Sequence, residues 1–529
     1  MRATASSATP SRISEEHALY DPLHYVLYYP YGGKGWYKGM GITIQKYYSY
    51  RLMVRDHSNE PIRADILHYG GPLFQQYIVD EAVKLQDSRL GYLASKTGQN
   101  QIRADRYNSL RQGLAETADD EPHLGRSIIL PSSYIGGPRY MREIYQDAMA
   151  IVRDKGGPSL FITMTTNPKW TEIVNSVKIN QVAADRPDIV ARTFNCKIKE
   201  FLHDMIQRQI LGVVIAYTWV VEYQKRGLPH LHSLFILHPS SKPRTPDDYD
   251  IMVSAEIPNQ ATNPILHNIV MEHNIHTCSP SRCLDTNNCC KHRFPKDFCA
   301  ATEQGEDSYP TYQRRPAKDG GNDLNQNVVP YNPWLTLKYN CHMNVEIASS
   351  VKSKAHIYSR NPFVLMFFFL GFKYIFKYVA KGSDRVNYSV ENVNHQDRNE
   401  VQDFKDARYL SSPEGAARIF GYKTNDRFPS VCKLVVHLQN EHNVVFHGSH
   451  RDQIQAAITA SGNTSLTAFF ATVRAEDTNT LLDDRGHPFP EETTARCLLY
   501  HHMPRYYSYT KGAPRGHRSS GTMLLRFTG

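Results

Sequence analysis

"EYQKRGLPHLHSLFIL", Glu222 to Leu237, sets two histidines on either side of a leucine, after a basic turn and before an apolar run. Just upstream, "GVVIAYTWVVEYQ" is dense in β-branched and aromatic residues and predicts a long strand over 212–224, with a second over 230–237. Joined by the five-residue loop "KRGLP", the two predict an antiparallel hairpin. The simplest register puts Gln224 opposite His230 and Glu222 opposite His232, and strand alternation places all four side chains on one face. Two imidazoles, a carboxylate and an amide make a three- to four-ligand site that suits Mg²⁺ or Mn²⁺ and leaves positions open for a substrate oxygen. The other reading is two strand histidines beside a basic turn. With 24 histidines in the chain, an H-x-H arises about once by chance.

The flanking text supplies the fold class. "YMREIYQDAMAIVRDKGGPSLFITMTTNP" reads as a helix, a Gly-Gly-Pro stop and an apolar strand from Leu160 to Thr165. Ile198, Phe201, Leu202, Met205 and Ile206 then recur at helical spacing before the hairpin. Strand, helix, strand, strand argues for an α+β sheet domain. It is divided between residues 126–240 and 336–400, with a turn-rich Cys/His insertion over 241–335. Before it lies a module over 21–125 that holds the helix-like "FQQYIVDEAVKLQDSRLGYLA", preceded by residues 1–20, whose composition predicts disorder. After it, 401–510 form an accessory region with the helix-like "DARYLSSPEGAARIFGY" and the strand-like "CKLVVHL", and 511–529 read as a disordered tail.

At 529 residues, 41% hydrophobic and 21% charged, the chain has the composition of a soluble protein of more than one domain. A net charge of +9 leans toward a polyanionic partner. The N-terminus has no apolar segment of signal-peptide type, and nine cysteines, odd in number and mostly clustered, predict a reducing compartment, cytosol or nucleus. The most apolar stretch, "FVLMFFFLGF" at 363–372, is about half of the roughly 20 residues a membrane crossing needs, so no membrane span is expected. The large skew is 33 tyrosines against 4 tryptophans.

Two further clusters carry chemistry. "FKYIFKYVAKGSDR" places Tyr374 and Tyr378 four residues apart on one helix face, with Lys373, Lys377 and Lys381 on the same step. A phenol is a poor nucleophile at neutral pH, but beside ammonium groups and a divalent ion that polarises a phosphodiester it can attack phosphorus. Such a tyrosine pair arises about twice by chance in this composition, and packing on a phosphate backbone without chemistry is the competing reading. "HNIHTCSPSRCLDTNNCCKHRFPKDFC" gathers eight Cys and His residues without a regular C-x-x-C pair. His276, Cys278, Cys283 and Cys290 are the favoured set for a structural zinc ion.

The order "PHLH", Cys cluster, "KYIFKYVAKG" is more specific than its parts. Together with "YDPLHYVLYYPYGGKGW", "SSYIGGPRYMREIYQDAMAIV", "LFITMTTNPKW", "CCKHRFPKDF" and "NVVPYNPWLTLKYNCHMNVEI", it resembles the Helitron helicase-like domain, the Rep-type HUH endonuclease portion of Helitron transposases. The resemblance implies a small antiparallel sheet with flanking helices and a metal-dependent cut of single-stranded DNA that leaves a 5′-phosphotyrosine and a free 3′-hydroxyl. It makes His230 and His232 the metal ligands and Tyr374 and Tyr378 the nucleophiles; the hairpin favours Glu222 over Gln224 as the third ligand, and Lys225, Arg226, Lys373, Lys377 and Lys381 are expected DNA contacts, in a nuclear protein.

Three features depart from the pattern. "KAHIYSRNPFVLMFFFLGF", 354–372, intervenes before the tyrosine helix; the chain stops soon after "YYSYTKGAPRGHR" with no G-x-x-x-x-G-K-[ST], so a helicase would be supplied in trans; and Thr166 stands where cysteine is common, with little consequence expected. The 354–372 insert favours an alternative reading as a non-catalytic single-stranded DNA-binding remnant.

Overall fold

The computed structural model describes residues 13–54, 66–95, 104–106, 128, 130–223, 227–279, 283–285, 287–304, 310–316, 324–348, 399–439, 441–445, 451–460, 464–476, 494–505, 507–510 and 522–525. Gln224, Lys225, Arg226, Lys373, Tyr374, Tyr378, Lys377, Lys381 and the 354–372 insert lie outside the described residues. The chain divides into two compact units: Met1–Ser88 with Ser132–Asn387 and Ala407–Pro429, and Arg89–Pro131 with Tyr388–Asp406 and Ser430–Gly529.

The first unit is α+β. Its named elements are helices α1 (Ile44–Arg51), α2 (Pro72–Ala94, whose last residues run past the unit's boundary), α3 (Pro138–Lys155), α4 (Pro187–Ile206), α5 (Pro333–Tyr339) and α6 (Ser412–Phe420). The strands are β1 (Leu160–Thr165), β2 (Val214–Tyr223), β3 (Pro229–Leu237), β4 (Met343–Ile347) and β5 (Asn425–Phe428). They form one antiparallel sheet in the order β4-β1-β3-β2-β5. β1 has the bounds that its apolar run predicts.

Alternation decides what each face does. Leu160, Ile162, Met164, Leu231, Phe235, Trp219, Val221, Met343, Val345 and Ile347 point to one side, where they share a core with Phe194, Ile198, Phe201 and Met205 of α4. α4 begins with Pro187 at its first turn, and its apolar residues recur at helical spacing, so one stripe is buried along its length. α6 joins the same core, and its approach to α2 is close: a Cβ on Gly415 would stand 3.2 Å from Ile78. α3 lies against β2 on the opposite face, anchored by the Asp147–Arg427 ion pair at 2.5 Å and a Tyr140–Asn425 hydrogen bond to β5. That helix stops at Gly156, whose φ of +91° suits glycine.

The tyrosine excess is explained in part by a buried polar knot before the sheet. Lys84, on α2, bonds Asp21 at 2.6 Å and Tyr48 at 2.7 Å, and the Tyr48 hydroxyl donates to Asp21 at 2.7 Å. Tyr25 and Tyr28 pack edge-on to Tyr77, with ring centroids 5.0 and 5.4 Å apart. Tyrosine serves here because its ring fills volume while its hydroxyl satisfies a buried charge.

The insertion between β3 and β4 is sparse in regular structure. It holds helices Pro246–Met252 and Pro264–His273 and a minimal hairpin, Glu303–Gln304 with Pro310–Thr311. In the second unit, Phe469, Ala495, Leu498, Met503 and Tyr507 form a small core. Thr522–Leu525 pairs with Tyr507–Thr510, in the stretch whose composition reads as a disordered tail. Residues 13–20, included in the expected disordered start, hold turns, and the Ala18 carbonyl accepts from Gly35 at 2.8 Å. "CKLVVHL" is no strand. Side chains hold it instead: the Tyr500 hydroxyl donates to the Val435 carbonyl at 3.0 Å, and Val436 and Leu438 are exposed. No helix among the described residues is long and apolar enough to cross a membrane.

Burial lifts the Glu81 carboxyl from 4.5 to about 8; the Asp21 carboxylate adds to the rise and the Lys84 ammonium opposes it. The folded chain therefore holds this proton more tightly than the unfolded chain does. The stability it supports is complete below pH 4.5 and is lost as pH rises through 8. Glu81→Gln should abolish this part of the pH dependence of urea unfolding, and superimposable pH profiles for the two proteins would disprove the assignment.

Candidate functional site

The hairpin forms with a register two residues away from the simplest one: Glu222 pairs with His230, and Val220 with His232. The shift comes from the turn, because β2 ends at Tyr223 and β3 already begins at Pro229, with Gly227 at φ +89° between them. A shift of two preserves parity, so Glu222, His230 and His232 still share a face. Glu222 is buried, and its Oε2 lies 3.2 Å from Nε2 of His232.

The neighbouring strands complete this face. Thr165 and Thr163 of β1 pair with His230 and His232, and their hydroxyls lie 2.9 and 3.1 Å from the respective Nδ1 atoms. Phe161 lies parallel to the His232 ring at 6.0 Å. On β4, Asn344 pairs with Thr163 and Glu346 with Phe161; just before β4, the His342 carbonyl accepts from the Thr165 N–H at 3.0 Å. By alternation His342, Asn344 and Glu346 extend the polar face. His342 Nδ1 donates to the His273 carbonyl at 2.7 Å, and burial lowers its pKa, so it is a neutral imidazole with its proton on Nδ1. Burial raises the Glu346 carboxyl to about 7, against a Tyr312 hydrogen bond and the Lys296 and Arg314 charges.

Thr163, Thr165, His342, Asn344 and Glu346 are absent from the site as the sequence predicts it. Their signal was the period-two polar pattern in "TMT" and "HMNVE", which means nothing until the strands that carry it are known to flank the histidines. Thr166 has a definite role: its hydroxyl and N–H both donate to the Pro229 carbonyl, at 2.7 and 3.2 Å, fixing the start of β3 next to His230. Asn167 then bonds the Asn340 carbonyl at 2.7 Å, and the Trp170 indole the Tyr339 carbonyl at 2.7 Å. "TTNPKW" thus ties the histidine end of the sheet to α5.

The second cluster gathers His276, Cys278, Cys283 and Cys290, with their ligand atoms all within 4.8 Å of one another. These are the four residues favoured from sequence. Among the described residues no other group of three or more His, Cys, Asp and Glu closes so tightly, the His230, His232 and Glu222 set included. His276 Nε2 lies 3.4 Å from Cys290 Sγ and 3.6 Å from Cys283 Sγ. A tetrahedral zinc ion with ordinary Zn–N and Zn–S bonds has N···S edges of about 3.6 Å, so the group could hold zinc without rearrangement. The Leu284–Cys290 bridge brings Cys283 and Cys290 together, and Phe294 stacks on His276 at 4.3 Å. Burial raises the Cys290 thiol, but the Phe294 and His292 N–H groups and the Cys278 and Cys283 thiols outweigh it and lower its pKa, while burial and the same thiol neighbours push Cys278 up to about 11, so Cys290 gives up its proton first. Cys299 stands apart, bonded to the Ala301 carbonyl at 2.7 Å.

The region containing the hairpin is similar to a known family. Residues 47–235 match the family model of the Helitron helicase-like domain at N-terminus. The matched segment runs from within α1 through the histidine pair. A search of curated proteins gives no match.

Purified protein should carry one zinc ion per chain, released by thiol modification and detected by a chromogenic chelator. Cys283→Ser with Cys290→Ser should lose it, and undiminished zinc in that variant would rule out the quartet.

Proposed function

We propose that the protein is a Rep-type HUH endonuclease and strand transferase of a Helitron-like element, acting on single-stranded DNA. The observation that carries this reading is the register: Glu222 opposite His230, with His232 two residues on, on the polar face of a five-stranded antiparallel sheet. The donor set fits a catalytic divalent ion, since two imidazoles and one carboxylate leave coordination positions for substrate oxygen. A bound Mg²⁺ or Mn²⁺ would polarise the scissile phosphodiester and stabilise charge on its oxygens.

The chain supplies the rest. His230 and His232 would present Nε2, and Glu222 its carboxylate. Tyr374 or Tyr378 would attack phosphorus through its phenolic oxygen; the P–O3′ bond breaks, the 3′ oxygen takes up a proton, and a 5′-phosphotyrosine remains. The second tyrosine would hold a second strand end, and attack by a 3′-hydroxyl on the phosphotyrosine would reseal DNA and free the phenol. Lys373, Lys377 and Lys381 would favour the phenolate, and Lys225 and Arg226, in the hairpin loop, would hold backbone phosphates. With DNA as its substrate the protein would act in the nucleus.

With Mn²⁺ and a single-stranded oligonucleotide, the wild type should form an adduct that survives denaturing electrophoresis. Tyr374→Phe with Tyr378→Phe should abolish it, and His230→Ala with His232→Ala should reduce it by roughly 100-fold or more. Undiminished adduct in the tyrosine double variant would refute the mechanism. Oligonucleotide binding without adduct in the wild type would favour a non-catalytic DNA-binding remnant, the reading supported by the 354–372 insert.

A further inference from the structure

All three imidazoles along the polar face are engaged at Nδ1. His342 meets a backbone carbonyl, which only accepts, so its proton is fixed on Nδ1. His230 and His232 meet hydroxyls, at 2.9 and 3.1 Å. A hydroxyl both donates and accepts, so it can stay bonded to either neutral tautomer. The difference matters at His232, whose Nε2 also lies 3.2 Å from the Glu222 carboxylate. With the proton on Nε2 donated to Glu222, Nδ1 accepts from Thr163. With Nε2 stripped of its proton, Nδ1–H donates to the same oxygen.

We infer that Thr163 and Thr165 are positioning residues for His232 and His230: their hydroxyls hold each ring at Nδ1 through both tautomers and so direct Nε2 lone pairs outward as ligands. This rests on the metal reading proposed above. Three observations make the arrangement a built one. Each threonine is the direct cross-strand partner of its histidine, so the pairing is set by the sheet. Thr163 is buried and Thr165 half-buried, so water competes weakly for the bonds. Phe161 lies parallel to the His232 ring at 6.0 Å, an apolar neighbour beside the bond. Outer partners on a ligand's second ring nitrogen fix its orientation, and removing one typically weakens metal binding 10- to 100-fold.

The test is Mn²⁺ affinity of the full chain, measured by electron paramagnetic resonance of the free ion without DNA. Thr163→Val and Thr165→Val keep the β-branched shape and remove the hydroxyl. Each should weaken Mn²⁺ binding about 10-fold, with near-wild-type affinity restored by Thr→Ser at the same position. Wild-type affinity in both valine variants would overturn the inference while leaving the metal site standing. Wild-type Mn²⁺ binding that is insensitive to His230→Ala with His232→Ala would overturn the metal reading itself, and the inference with it. Should the valine variants unfold, the serine variants and imidazole nitrogen shifts with Mg²⁺ decide the matter: hydrogen-bonded Nδ1–H at His230 and His232 is required, Nδ1–H without a hydrogen bond would exclude the threonine role, and Nε2–H would overturn the metal reading and the inference with it.

Discussion

The pairing of β1 with β3 is the constraint on which the rest depends. It lies at the centre of the sheet, and it sets Thr163 against His232 and Thr165 against His230 while their alternate neighbours fill the core. Slippage by one residue would turn both histidines into the hydrophobic layer beside Phe201 and expose Leu231 and Phe235. Burial of those apolar side chains thus fixes the geometry of the polar face. The site is held in register by the half of each strand that takes no part in its chemistry.

Parity explains how much of this face was legible. The hairpin could be recognised from residue type, and the face of Glu222, His230 and His232 followed from a period of two, which survived an error of two residues in register. The opposing residue did not survive it, since the turn between Tyr223 and Pro229 is set by local backbone geometry around Gly227 and not by hydrophobic pattern. The threonine partners come from a strand about 65 residues away, a pairing that composition and spacing do not encode. The quartet was legible for the opposite reason: its ligands are close in sequence, and few sets among them could converge. "CKLVVHL" was misread because β-branched residues predict an extended chain, whereas a strand also needs a partner.

Within the first unit, charge is distributed by the same economy. Asp21, Lys84 and Glu81 lie buried behind a layer of tyrosines, and Arg186 is fully buried on Asp188 with bonds of 3.0 and 2.9 Å. Such pairs contribute specificity more than net stability, because each charge finds its partner in a single packing arrangement. Asp21 and Lys84 tie the start of the helical module to α2, Arg186 and Asp188 brace the start of α4, and Asp204 fixes α5 to α4 through Lys338 and Tyr339.

The strand order carries a consequence for how the chain is made. β1 lies between β3 and β4, and everything from His238 to His342, the Cys/His insertion included, is synthesised after the first of these partners and before the second. During synthesis β1 first finds β3 and presents an open edge on its other side until the insertion has emerged. Closing that edge requires the ends of a long loop to meet, which costs conformational entropy that grows with the loop's free length. A metal ion seized by the quartet would shorten that loop while it is still outside the sheet. The cysteine cluster would then act in time as well as in space, as a clasp that brings the last strand within reach of an unprotected edge.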